Sequence, residues 1–418
     1  MSMLKFNQFC LSLLGASMTL TSIAAQPVIH YQSSPLYGDQ KLSAFYQWDQ
    51  KIPDKAGTLL RFEPLDQGIR LADSADQYRI LFSSTNGIDS RSPTVVSGSL
   101  FLPKGKAPEG GWPLLVWGHG TVGLADQCAP SWSGRVYRNA YYLNQWLKQG
   151  YAVVEPDYQG LGVAGPHLLI NVPQLSYNIL DSARAVVGRQ FNVANQVIIA
   201  GQSQGGAAAF GAASYSASYA PDINVKGTIA TGVIYRKPNS ERPVLNAVNK
   251  YQPNPALAYQ ILGFHVLQQY DLSIQASDVF TEKAIPLVEH SRSQCVGQIF
   301  SDVSFEKLSI ADALLDKPSD KYLALQKLFE EKYSYYPTLK INHPVFIGTG
   351  ADDRTPDART QVELVKDACE AGTQVESHVY HGHGHSEAVP HSLNDALTFA
   401  NKVIHNQPIQ NTCSVKFE

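Results

Sequence analysis

The sequence has little charge and almost no excess of either sign. Only 17% of its 418 residues are Asp, Glu, Lys or Arg, and the formal net charge is −3. A chain with so small a net charge has no basic field to attract nucleic acid, so we expect no nucleic-acid partner. Hydrophobic residues make up 44% of the chain, which is typical of a globular protein and excludes a wholly disordered one.

Long apolar segments are also missing. After the first 25 residues, no stretch approaches the roughly 18 apolar residues that a membrane-spanning helix needs. At the N-terminus, Lys5 precedes a short apolar run from Phe9 to Leu20, and small residues follow up to Ala25. This pattern predicts a signal peptide over residues 1–24 and a secreted or periplasmic protein. An N-terminal membrane anchor is the alternative, but Ser, Gly and Thr interrupt the apolar run.

Cysteine is scarce, and no pair has the C-x-x-C spacing of a zinc or redox site. Cys10 lies in the predicted signal peptide, which leaves Cys128, Cys295, Cys369 and Cys413. An even number of cysteines in an exported chain predicts two disulfide bonds. Four cysteines allow three pairings, and their spacing does not choose among them.

Short apolar runs alternate with helical periodicities over most of the chain. Continuous apolar runs are typical of strands that are covered on both faces, and their alternation with helices predicts a mostly parallel sheet between two helical layers. The predicted strands are 78–83, 95–102, 114–117, 151–154, 197–200, 226–230, 344–348 and 374–380. The predicted helices of this layered part are 139–148, 180–191, 206–214, 357–371 and 393–405.

The alternation lapses between residues 235 and 340, where helix-like segments dominate. We therefore expect an α/β core in two parts, 76–234 and 341–418, with a helical insertion at 235–340. Residues 25–75 are expected to wrap the surface before the sheet begins. The insertion is either a cap beside the site or a second helical layer with no role in substrate access, and the pattern does not decide between them.

One serine lies in a G-x-S-x-G motif, within Gly201–Gly206. The motif falls between the predicted strand 197–200 and an Ala-rich helix, which is the context of a nucleophile elbow. The helix N-terminus would place backbone N–H groups next to the attacking oxygen. Ser203 is therefore the predicted nucleophile, although a plain Gly/Ser-rich turn is the alternative.

An acid and a base are expected later in the chain, in that order. The strand 344–348 leads into a turn with two adjacent carboxylates, Asp352 and Asp353. Asp352 comes first after the glycine turn and is predicted as the acid, whereas Asp353 is expected to cap the next helix or to pair with Arg354. Asp157 also follows a strand, but it precedes the serine and is interpreted as a structural carboxylate.

Three histidines follow the last strand, at His381, His383 and His385. His385 is the predicted base, because it comes last, just before the C-terminal helix. Alternate histidines in an extended strand would share one face and could bind Zn²⁺. Glycines interrupt this run, and a metal there would leave the serine without a base, so we expect neither a metal nor any other cofactor.

A second glycine-rich turn, Gly118–Gly123, follows the strand 114–117. A His-Gly turn after an early strand is typical of the loop that donates N–H groups to the oxyanion of an acyl-transfer reaction. The backbone N–H groups of Thr121 and Gln204 are the predicted donors, and His119 is expected to shape the loop.

With these motifs in view, the sequence resembles the secretory lipase family from about residue 75 to the C-terminus. The motifs WGHGTVG, EPDYQGLG, GQSQGG, GTGADDRTP and HGHGHS carry the resemblance, in that order. It implies an α/β-hydrolase fold with an inserted helical cap, and hydrolysis of carboxylic esters by Ser203, Asp352 and His385. It also implies the disulfide bonds Cys128–Cys295 and Cys369–Cys413.

The implied partner is a small-molecule or lipid ester, met at a lipid–water interface if the cap is mobile, and no stable protein partner is implied. Two other functions stay open. The same residues could hydrolyse amides, as a serine peptidase does, or the fold could serve as a non-catalytic binding protein. The second is disfavoured because no member of the predicted triad is missing.

Overall fold

The computed structural model describes residues 42–188, 190–238 and 249–414. The predicted signal peptide, residues 1–24, lies outside the described residues. Across these three ranges, no helix combines the length and apolar character needed to cross a membrane.

A single sheet organises the described residues, and it has nine strands. They are β1 Leu59–Pro64, β2 Ser74–Thr85, β3 Pro93–Pro103, β4 Trp112–Gly118, β5 Ala152–Pro156, β6 Val193–Gln202, β7 Val225–Thr231, β8 Val345–Gly350 and β9 Val375–Tyr380. Their order is β1-β2-β3-β5-β4-β6-β7-β8-β9. The pairs from β1 to β5 are antiparallel, and all pairs from β5 onward are parallel. The predicted mostly parallel sheet is confirmed.

Helices cover both faces of this sheet and predominate among the described residues between β7 and β8. They are α1 Pro130–Ser133, α2 Tyr137–Lys148, α3 Val172–Val186, α4 Gln204–Tyr219, α5 Leu257–Tyr270, α6 Ile285–His290, α7 Val296–Phe305, α8 Ile310–Ala313, α9 Asp320–Tyr333, α10 Ala358–Glu370, α11 Ala388–His391 and α12 Leu393–Ile404. Helices α5 to α9 lie within residues 235–340, where the strand pattern lapses.

The two faces of the sheet follow from the period of two along each strand. In β4, Leu114 and Val116 pack with α3 and α4, whereas Leu115 and Trp117 pack with α2 and α12. All four side chains are buried. Burial on both faces explains why the central strands read as continuous apolar runs rather than as alternating ones.

Two sequence expectations are wrong in detail. Strand β1 lies within residues 25–75, so the sheet begins earlier than predicted; β1 is a half-buried edge strand, and its apolar pattern is correspondingly weak. The helix predicted at 180–191 is α3, which begins at Val172. The Asn171 side chain caps it by accepting from Gln174 N–H. Buried polar side chains such as Gln174 and Ser176 lie in its first turns, so an apolar run does not mark its start.

A buried ion pair under the sheet allows a test of the core. Arg135 Nε lies 2.9 Å from Glu155 Oε2, and their side chains are only 3% and 0% exposed. Glu155→Gln should lower the free energy of unfolding by about 3–5 kcal/mol, because it leaves the buried guanidinium without its counter-charge. Denaturant unfolding measures this change. The matched variant Asp54→Asn removes the exposed Lys51–Asp54 pair and should change stability by less than about 1 kcal/mol; equal effects would contradict the prediction.

Candidate active site

Ser203 stands at a sharp turn between β6 and α4. Its backbone has φ 62° and ψ −120°, a conformation that side chains other than glycine rarely adopt. The Ser203 N–H donates to Thr231 O at 3.0 Å, which ties the turn to the end of β7. A Cβ at Gly201 would overlap the carbonyl of Gly205, and a Cβ at Gly205 would overlap the carbonyl of Gly118. The structure thus has the strand–turn–helix geometry of a nucleophile elbow.

The carboxylate beside His385 is Asp353, and the prediction of Asp352 is wrong. Asp353 Oδ2 accepts from His385 Nδ1 at 2.8 Å. The Asp352 side chain is exposed, and its backbone N–H donates to His383 O at 3.0 Å. The chain turns tightly after β8, with Asp353 N–H bonded to Gly350 O. Adjacent residues in such a turn point in different directions, so the second aspartate faces the core and the first faces solvent.

Asp353 is held by three hydrogen bonds. Besides His385, its Oδ2 accepts from Gln361 Nε2 at 2.9 Å and its Oδ1 accepts from Thr355 N–H at 2.8 Å. Its side chain is 0% exposed. The helix cap assigned to Asp353 from the sequence belongs to Asp357, which accepts from Arg359 N–H. Gln361 was not predicted from the sequence; its inward position on α10, next to Leu364 and Val365, was the available signal.

His385 lies between Asp353 and Gln202, the residue that precedes Ser203. Its Nε2 is 3.0 Å from the Gln202 side-chain amide nitrogen. Because that amide nitrogen can only donate, Nε2 accepts and the ring proton sits on Nδ1, facing Asp353. Within the described residues, Nε2 is thus engaged by Gln202 and not by the Ser203 hydroxyl. A proton on Nδ1 and a lone pair on Nε2 make the tautomer that a general base requires.

The other two histidines of the HGHGH run do not join this group. His383 stacks on His391, with ring centroids 3.5 Å apart, and His381 is exposed. In the three described ranges, no group of three or more His, Cys, Asp or Glu side chains is arranged to hold a metal ion.

The predicted oxyanion loop, Gly118–Gly123, lies against the start of α4. His119 is buried, with Nδ1 2.7 Å from Gly120 O and Nε2 3.1 Å from Asp157 O. The Tyr158 hydroxyl donates to His119 O at 3.0 Å. These contacts fix the loop. Thr121 lines the same cavity as Ser203, and Gln204 is the first residue of α4, where the N–H has no acceptor within the helix.

Asp157 is a structural carboxylate, as interpreted from its position in the chain. It is fully buried and accepts from Ser131 N–H at 2.8 Å, from the Ser97 hydroxyl at 2.6 Å and from the Ser131 hydroxyl. Burial raises its pKa. Its contacts join β3, β5 and α1, away from His385.

The Gln204 side chain has a role that the sequence analysis missed. Its Nε2 donates to His167 Nε2 and to Leu169 O, both at 2.9 Å. Burial lowers the pKa of His167 to about 3, so this ring is neutral and can accept the bond. Its Nδ1 donates to Gln159 O at 3.2 Å. Gln204 therefore fixes the loop before α3 against the elbow.

A cavity of about 320 Å³ opens beside Ser203. Helices α5 and α9 and the loop before α3 line it. The apolar members of this lining include Leu168, Leu169, Ile170, Ile234, Val266, Leu267 and Phe329. The lining also contains polar side chains, among them Tyr259, Gln260 and Gln326. Helices of the inserted stretch thus form walls of the space next to the elbow.

Two disulfide bonds join distant parts of the chain. Cys128–Cys295 links the loop after β4 to the start of α7, and Cys369–Cys413 links α10 to the C-terminal segment. This is the pairing that the family resemblance implies.

Asparagine substitutions distinguish the roles of Asp352 and Asp353. Asp353→Asn should lower kcat about 10³- to 10⁴-fold, because an amide at this place favours the wrong imidazole tautomer. Asp352→Asn should leave kcat within about threefold, since the side chain is exposed. Steady-state ester hydrolysis at neutral pH measures both. A larger loss with Asp352→Asn would contradict the assignment.

Comparisons with known proteins identify the family of this chain. A family model of secretory lipases matches residues 135–412. The chain is 26% identical to LIP3, a secreted triacylglycerol lipase of Malassezia globosa, over 86% of this chain and 79% of that protein. It is also 26% identical to MT1628, a probable inactive lipase of Mycobacterium tuberculosis, over 41% of each chain.

Solved structures share the fold. Lipase A of Candida antarctica in its closed state superposes with a TM-score of 0.69 at 19% identity, covering 92% of this chain and 90% of that one. The family match extends over most of the chain and includes the elbow, the Asp353 turn and the histidine loop. This chain therefore belongs to the secretory lipase family and is a carboxylic ester hydrolase of the α/β-hydrolase fold.

Proposed function

We propose that this protein hydrolyses acyl esters through a covalent intermediate on Ser203, with His385 as base and Asp353 as its orienting acid. The observation that carries the proposal is the Asp353–His385 contact of 2.8 Å beside a serine with a strained backbone. Strain of this kind, held by the surrounding fold, is typical of catalytic nucleophiles.

In acylation, Ser203 Oγ attacks the ester carbonyl carbon while its proton passes to His385 Nε2. The tetrahedral intermediate then collapses, the alkoxy C–O bond breaks, and Nε2 returns the proton to the leaving alcohol. Water repeats the sequence on the acyl-enzyme, releases the carboxylic acid and restores Ser203. Asp353 stabilises the imidazolium that forms in each half, and its three hydrogen bonds keep it in place.

The backbone N–H groups of Thr121 and Gln204 are the proposed oxyanion donors. Two observations support them: Thr121 borders the cavity next to Ser203, and Gln204 begins α4. A helix N-terminus adds a partial positive charge where the oxyanion develops. Removing one such donor typically lowers kcat by about 10²–10³-fold.

The proposed substrate is an ester with an apolar acyl chain that lies in the cavity beside Ser203. The apolar side chains on α5, α9 and the loop before α3 support this. The helices described between residues 249 and 340 would then act as a cap that forms the acyl-binding wall. The similarity to LIP3, a secreted triacylglycerol lipase, supports lipid esters as the substrate class.

Export of the protein is also proposed, from the signal-peptide pattern in residues 1–24 and the two disulfide bonds.

Turnover and covalent labelling test the mechanism together. Ser203→Ala should lower hydrolysis of p-nitrophenyl esters by at least about 10⁴-fold and abolish labelling by a fluorophosphonate. The control variant Ser218→Ala changes an exposed serine near the end of the same helix and should keep both signals. Aminoacyl p-nitroanilides serve as the amide arm of the assay. Ester turnover that survives Ser203→Ala, or turnover of anilides alone, would overturn the proposal.

Gly263 offers a test of the acyl site. It lies in α5, lines the cavity, and a Cβ placed on it would meet no other atom within 4 Å. Gly263→Phe should therefore reduce kcat/KM for a dodecanoate ester by about tenfold or more relative to a butanoate ester, because the ring occupies space that a long chain needs.

A matched control comes from the same inserted stretch. Gly297 in α7 is exposed and is also open to an added Cβ. Gly297→Phe should leave the ratio of the two kcat/KM values unchanged. If both variants change the ratio equally, the cavity beside Gly263 does not hold the acyl chain.

A further inference from the structure

The Gln202 side chain occupies the position next to the base that the mechanism needs for Ser203. Its amide nitrogen lies 3.0 Å from His385 Nε2 and 3.4 Å from His385 O. Its Oε1 accepts from Arg138 Nη2 at 3.1 Å. Gln202 is 2% exposed, so water does not replace these partners. We propose that Gln202 is a positioning residue that keeps His385 neutral and ready to accept a proton, and that Arg138 fixes the orientation of its amide.

Arg138 sets the orientation of the Gln202 amide, because its guanidinium has only donors. An amide presents an oxygen on one side and an NH₂ group on the other, and either could face His385 if the amide were free. The guanidinium has no acceptor and remains charged at any pH of an assay, although burial lowers its pKa. The Gln202 oxygen must therefore face Arg138, and the NH₂ group must face His385.

This orientation favours one protonation state of the ring. Neutral His385 accepts from the Gln202 amide at Nε2 and donates to Asp353 from Nδ1. In the imidazolium, the Nε2–H would face a second donor, and the amide could not turn over without placing its NH₂ against Arg138. Gln202 thus opposes protonation of the free enzyme, and the proposed mechanism requires the Ser203 hydroxyl to replace the amide at Nε2 when an ester binds. The inference rests on the proposed role of His385 as base.

Other charged or titratable groups around the ring come from several elements. They are Asp353 after β8, Glu387 in the loop of His385, Arg138 in α2, and Tyr259 in α5. Asp353 favours the imidazolium, and Arg138 opposes it through its charge as well as through Gln202. The test must therefore separate the charge of Arg138 from its effect on the amide.

The acid limb of the pH dependence of kcat/KM reports protonation of the free enzyme. Gln202→Met keeps the side-chain length but removes the donor, so the acid limb should move to higher pH by about half a unit. Gln202→Glu presents an acceptor to Nε2–H, so its acid limb should move up by about one unit or more, with lower kcat/KM at neutral pH.

The matched control is Gln204→Met, on the other side of Ser203. Its amide contacts His167 and Leu169 rather than His385. This substitution should leave the acid limb where it is, whatever it does to kcat. A purely structural role for Gln202 would predict lower kcat with an unmoved acid limb in both variants, and that result would overturn the inference.

A double-mutant cycle tests the part played by Arg138. Arg138→Met alone frees the Gln202 amide to turn over and should move the acid limb to higher pH. In the Gln202→Met background, the same substitution should add little if it acts through the amide, and should add its full shift if it acts through charge alone. Full additivity would contradict the orienting role.

The variant His385→Ala separates failure of the proposed function from failure of this inference. Ester turnover that survives His385→Ala would overturn the proposed function itself. If the enzyme needs His385 but the Gln202 variants do not move the acid limb, only this inference is overturned.

Discussion

The geometry of the site depends on the close backbone approach of β4, β6 and α4 at Gly118, Gly201 and Gly205. Strands β4 and β6 are neighbours, with Gly118 paired to Gly201. The first turn of α4 then passes so close to the end of β4 that neither Gly201 nor Gly205 has room for a side chain. Close approach brings the N-terminus of α4 to the oxyanion loop. The strained Ser203 backbone costs of order 1–3 kcal/mol, and the bond from Ser203 N–H to Thr231 O helps to hold it.

The two glutamines beside Ser203 extend this arrangement in opposite directions. Gln202 reaches across to the histidine loop and to α2, whereas Gln204 reaches to the loop before α3. Both side chains are buried amides. The Gln202 amide donates and accepts at once, whereas Gln204 makes both of its contacts through its NH₂ group. Each amide thus links parts of the chain that no continuous helix or strand connects. The elbow is therefore the centre of a polar network as well as a turn.

Much of the fold and part of the site could be predicted from the sequence. The strands from β2 to β9 were readable because burial on both faces produces continuous apolar runs. Ser203 was readable because only a few residue types fit a tight strand-to-helix turn, and His385 because chain order in this fold restricts the choice. Strand β1 and the start of α3 were less clear, because β1 is a half-buried edge strand and the first turns of α3 bury polar side chains.

The choice between Asp352 and Asp353 could not be made in this way. Both follow the same glycine turn, and a shift of one residue reverses which carboxylate faces the core. That direction depends on the hydrogen bonds from Ala351 N–H to Tyr380 O and from Asp353 N–H to Gly350 O. The second of these bonds is local to the turn, but the first joins the end of β8 to the end of β9, 29 residues further along the chain. Only the assembled sheet edge provides that longer-range contact.

The inserted helices and the oxyanion loop are mechanically connected. Val296 N–H, at the start of α7, donates to Val122 O at 2.8 Å, and Cys128–Cys295 joins the same two regions covalently. Gln127 Nε2 adds a bond of 2.6 Å to Ser293 O. The start of α7 therefore cannot leave the core while the disulfide is intact. The walls of the cavity come from α5 and α9 of the same inserted stretch and from the loop before α3. One part of the insertion is therefore tied to the oxyanion loop, and another part borders the space next to Ser203.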